Sequence, residues 1–73
     1  MDWTKIKFED PIIVKLFEDY VLRYFVCRND YGIVYVFSSG CKGNNCCGFT
    51  QYYDDECLPA TEENLKKYNL TIS

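Results

Sequence analysis

The chain contains no histidine. A cysteine nucleophile therefore has no imidazole base, and every Cys–His or Ser–His arrangement is excluded. No Cys-x-x-Cys pair occurs, so the usual dithiol redox motif is missing as well. No apolar run approaches membrane-spanning length. The start, Met1-Asp2-Trp3-Thr4-Lys5, lacks the basic-then-apolar pattern of a secretory leader. That pattern leads to the expectation of a cytoplasmic protein with reduced thiols. Basic residues are also in the minority, eight against eleven acids, for a net charge of −3. Direct binding to nucleic-acid phosphates is not expected from that balance, nor is a membrane partner expected without a spanning run.

Apolar material is plentiful. Hydrophobic residues make up 48% of the 73, and aromatics 18%, with seven Tyr, five Phe and Trp3. That suffices for one small folded domain, residues 1–73, and argues against disorder. Tyr20 to Arg28 and Gly32 to Ser38 are rich in β-branched and aromatic residues, and Asn29-Asp30-Tyr31-Gly32 has turn chemistry between them. They predict a β-hairpin. In the second strand Ile33, Tyr35 and Phe37 share one face and Val34 and Val36 the other, as in a strand covered on both sides. Gly48 to Tyr53 reads as a third strand.

Near the end of the chain, Thr61 is a good N-cap. It leads into Glu62-Glu63-Asn64-Leu65-Lys66-Lys67-Tyr68, with acids first and lysines last, so a short helix is expected. Residues 11–19 fit two patterns. Asp10-Pro11 suits a helix start, and Ile12, Ile13, Leu16, Phe17 and Tyr20 fall on one arc. The same residues also fit a strand, Ile12 to Phe17, turning at Glu18-Asp19 into the hairpin. The helix is preferred. The fold class expected is thus α+β: a three-stranded antiparallel sheet with an N-terminal helix and a short C-terminal one. Such a sheet leaves apolar surface for a homodimer or another partner to cover.

Two features carry possible chemistry. Cys41, Cys46, Cys47 and Cys57 could give zinc four thiolates or form a disulfide. Their spacing, with four, zero and nine residues between them, matches no standard zinc motif. Reduced packing residues are the competing explanation. Cys27 fits the strand pattern as a small apolar residue. Lys42 beside Cys41 favours a thiolate only slightly, and Gly40-Cys41-Lys42-Gly43 lacks phosphate-loop spacing. No enzyme is expected.

The second feature is acidic. Nine of the eleven acids fall in Glu9-Asp10, Glu18-Asp19, Asp54-Asp55-Glu56 and Glu62-Glu63. They form either a solvated face or a surface complementary to a basic groove. Tyr52-Tyr53 directly precede one group, and tyrosine suits protein interfaces. In size and charge the chain resembles small acidic inhibitors encoded by viruses and mobile elements, which block host defence proteins. The function expected is a non-enzymatic binding protein that docks on a basic groove of a partner protein. Glu18, Asp19, Tyr52, Tyr53, Asp54, Asp55 and Glu56 would form the surface, with no cofactor required. The alternative is a domain stapled by zinc or a disulfide, whose functional site is Cys41, Cys46, Cys47 and Cys57.

Overall fold

A computed structural model describes residues 1–38 and 48–72. Five antiparallel strands, β1 (Pro11–Leu16), β2 (Asp19–Arg28), β3 (Ile33–Phe37), β4 (Phe49–Tyr53) and β5 (Cys57–Pro59), form one sheet in the order β4-β3-β2-β1-β5. A 3-10 turn (Trp3–Lys5) precedes them, a second (Asp54–Glu56) joins β4 to β5, and one short helix, α1 (Glu62–Lys67), follows.

The expected three-stranded α+β fold with an N-terminal helix is therefore wrong. Residues 11–16 form a strand paired to both β2 and β5. The physical reason is visible in Ile12, Ile13 and Val14, consecutive residues that are all 0% exposed. Successive side chains of a strand point to opposite faces, so only a sheet covered on both sides can bury three in a row this way. The hairpin, the Phe49–Tyr53 strand and the C-terminal helix do form where the local residues favour them. Thr61 caps α1 as its type suggests, its hydroxyl accepting from Asn64 N–H at 3.2 Å.

β4 and β5 occupy opposite edges of the sheet, yet only Asp54–Glu56 separates them. The sheet must therefore roll until its edges approach one another. Extents of 28 × 27 × 25 Å agree with a rolled sheet and not a flat one. A bulge between Phe25 and Cys27 bends β2, which lets this ten-residue strand serve both halves.

The inside of the roll is the core: Ile12, Val14, Phe25, Val34, Val36, Tyr52 and Cys57, drawn from all five strands. Trp3, Ile6 and Val21 pack against it. Outside the roll, Ile13 lies opposite Leu22 and Leu58 in the ladders. Tyr20, on the same outer face, stacks on Tyr68 at the end of α1, ring centroids 4.1 Å apart. The C-terminal segment thus packs on the outer face at Tyr20. Among the described residues no helix is long and apolar enough to cross a membrane.

Candidate functional site

Turn geometry decides which acidic and aromatic side chains face solvent. β1 and β2 are joined by a two-residue turn, since Leu16 pairs with Asp19. Its first central residue, Phe17, has φ 59° and is 88% exposed. That backbone region favours glycine, and a bulky side chain there costs about 1 kcal/mol or more. An exposed ring returns none of that through packing. Glu18 and Asp19, beside it, are exposed.

The β2–β3 turn is ordered by Asn29, whose side-chain oxygen accepts from Tyr31 N–H and Ile33 N–H, each at 3.0 Å. Gly32 takes the left-handed conformation needed to close it, φ 80°. Tyr31 consequently stands at the tip, 90% exposed, beside exposed Asp30.

The third turn is Asp54–Glu56. Tyr53, just before it, is 64% exposed, and Asp55 is exposed within it. Glu56 is half-buried and holds the turn shut, its carboxylate accepting from Tyr53 N–H at 2.9 Å. Asp54 is committed to Arg28. The guanidinium donates to both carboxylate oxygens, Nε to Oδ1 at 2.7 Å, and also lies over the Trp3 ring, 5.4 Å from its centroid. Asp54 N–H donates to Gly32 carbonyl at 3.1 Å, fastening this turn to the β2–β3 turn.

The Asp54–Glu56 turn lies between the other two. Cys57 pairs with Val14, so Asp54–Glu56 lies past Val14 toward the β1–β2 turn. Its other side is bonded to the β2–β3 turn. Phe17 with Glu18 and Asp19 stands on the β1–β2 turn, at the far end of β2 from the β2–β3 turn; Tyr31 with Asp30 and Tyr53 with Asp55 stand on the bonded pair of turns. A recess of about 150 Å³ between Ile33, Gln51 and Tyr53 adjoins that pair.

The residues expected from sequence thus divide. Glu18, Asp19, Tyr53 and Asp55 are available to a partner. Asp54 and Glu56 hold the turn in place, and Tyr52 faces the core at 8% exposure, where burial raises its hydroxyl pKa. Sequence reasoning missed Phe17 and Tyr31. Tyr31 had a legible signal, its place inside the Asn29–Gly32 turn. Phe17 had none, because nothing in its local sequence marks a left-handed residue.

Arg28 holds the Asp54 carboxyl below its ordinary 3.8, chiefly through their hydrogen bonds. A carboxyl depressed in the folded state stabilises at pH above the unfolded value and loses that contribution as pH falls through the folded value. The stability difference between the native chain and Asp54→Asn should therefore be constant above about pH 5 and shrink below about pH 4. Urea unfolding of both proteins across pH 2.5–7, roughly, would measure it.

Of the proposed zinc or disulfide set, Cys41, Cys46 and Cys47 lie outside the described residues. Cys57 is buried in the core at 5% exposure, its thiol donating to Tyr53 carbonyl at 3.5 Å. Burial first, then Asp54, Glu56 and Asp55, pushes its pKa up to about 12. Burial thus disfavours its thiolate in the chain as described. Cys27, by contrast, is exposed. Brief alkylation of the folded protein should modify Cys27 and spare Cys57, which becomes labelled only in denaturant; peptide mapping by mass spectrometry reads both sites. Among the described residues no group of three or more metal-ligating side chains assembles.

Comparison with known protein families, with characterised proteins and with solved structures returned no match, so the reading of this site rests on its own geometry.

Proposed function

We propose that this chain is a non-enzymatic docking protein that binds a basic partner protein through the turns that carry Phe17, Tyr31 and Tyr53, as an inhibitor occupying the partner's basic groove. One observation carries the reading: at each of three turns an exposed aromatic ring stands beside exposed carboxylates. A ring alone is an ordinary surface residue, and acids alone are an ordinary solvated face. Together they suit lysine and arginine side chains, which stack on the ring face and pair with the carboxylate. Arg28 makes that same combination of contacts within the molecule, with Trp3 and Asp54. The left-handed Phe17 adds weight, because strain held at an exposed ring is more readily understood as serving recognition than stability.

The test compares immobilised native chain with a variant carrying Glu18→Lys, Asp19→Lys and Asp55→Lys. All three positions are exposed, so the variant should fold, which circular dichroism would check. The native chain should retain a basic protein from lysate at low salt and release it at about 0.5 M salt, where screening is strong. The variant should retain none of it. Equal retention by both would overturn the proposal.

A further inference from the structure

The two edges of the sheet are not equivalent. β5 has only three residues, and one of them is Pro59. Short edges and prolines discourage pairing with another strand. β4 has five residues, Phe49-Thr50-Gln51-Tyr52-Tyr53, with neither a proline nor a charge. Its hydrogen-bond parity follows from the ends of the β3–β4 ladder. Asp54 N–H bonds Gly32 carbonyl, and Ser38 N–H bonds Gly48 carbonyl, both at 3.1 Å. Extending the β3–β4 register by one residue at each end puts Gly32 opposite Asp54, and Ser38 opposite Gly48. Positions of even number are therefore the hydrogen-bonded pairs. Phe49, Gln51 and Tyr53 must turn their backbone groups away from β3. Tyr53 N–H is taken by the Glu56 carboxylate. For Phe49 and Gln51, no backbone partner occurs among the described residues beyond β3.

We infer that β4 is a self-pairing edge, through which two copies of this chain join antiparallel about a two-fold axis at Thr50. In that register Phe49 faces Gln51 of the second copy. Each of these residues donates its outward N–H to, and accepts at its C=O from, the residue opposite, while Tyr53 keeps its bond to Glu56. Charge favours a second copy as the occupant. None of the residues in the new ladder is charged, so no like charges meet. The acidic turns lie at opposite ends of the paired strands: the Asp54 residues are eight positions apart along the ladder, roughly 25 Å. That exceeds the screening length at physiological salt, so the net charge of −3 opposes pairing little. This inference is independent of the docking proposal.

Light scattering and sedimentation of the full chain, from about 1 μM to 1 mM, test it. A concentration-dependent dimer is expected. Gln51→Pro removes an outward N–H without removing a β3–β4 hydrogen bond, and should weaken the dimer about tenfold or more. Amide exchange on the native chain gives a second reading that needs no variant. Phe49 and Gln51 amides should slow as concentration rises, while Tyr52, bonded to β3, should not change. A monomer at every concentration would overturn the inference. So would a dimer in which Phe49 and Gln51 exchange at a concentration-independent rate.

Discussion

Val14→Ala is expected to destabilise the fold by about 2 kcal/mol or more, while Phe17→Ala, which removes a larger side chain, should leave stability within about 0.5 kcal/mol or raise it. The contrast follows from position on the roll. Val14 is 0% exposed on its inner face, opposite Val21 in one ladder and Cys57 in the other; Phe17 is 88% exposed at a turn tip. A helix through the same residues would reverse the order, because Phe17 falls on its apolar arc and Val14 does not. Ile12→Ala should cost more than either, about 2–5 kcal/mol. A domain of this size has about 4–11 kcal/mol in all, at 0.05–0.15 per residue. Ile12→Ala should therefore lower Tm by roughly 10 °C or more, and it could unfold the protein at 37 °C. Thermal and urea unfolding of the three variants, with exposed Lys15→Ala as control, would decide the matter.

The same residues explain what the sequence could convey. The β2–β3 hairpin was legible because β-branched runs flank a turn whose Asn29 and Gly32 have the chemistry for it, all within a few residues. α1 was legible for a similar local reason, its Thr61 cap and its graded charges. β1 was not, because Ile12 to Phe17 satisfies both a helical arc and a strand. What settles the choice is the burial of Ile13 between Leu22 and Leu58, its ladder neighbours from elsewhere in the chain. β5 has three residues and too little pattern to register. The site divides in the same way. Its acids and Tyr53 were visible as composition, but the diversion of Asp54 depends on Arg28, 26 positions away. The inward turn of Tyr52 depends on strand parity. Exposure of an aromatic ring is a tertiary property, and local sequence alone does not fix it.

Truncating the three exposed rings should separate binding from folding more sharply than any other change. Phe17→Ala, Tyr31→Ala and Tyr53→Ala should each weaken binding to the basic partner by about 1–2 kcal/mol, which is about 5- to 30-fold. Removed together they should abolish measurable binding, although the effects of interface contacts do not add simply. Tm should barely fall, because rings 64–90% exposed pack little against the fold. Phe17→Gly extends the argument. Glycine accepts the φ of 59° without strain, so this variant should be as stable as the native protein or more so, yet bind as poorly as Phe17→Ala. Neutralising the neighbouring acids should act differently. Glu18→Gln, Asp19→Asn and Asp55→Asn should mainly slow association and flatten its salt dependence, whereas ring loss should mainly speed dissociation. Surface plasmon resonance across salt concentrations reads both rates. Should ring loss leave dissociation unchanged while acid loss accounts for the whole effect, the partner would be held by long-range charge alone, and the three rings would have no part in its recognition.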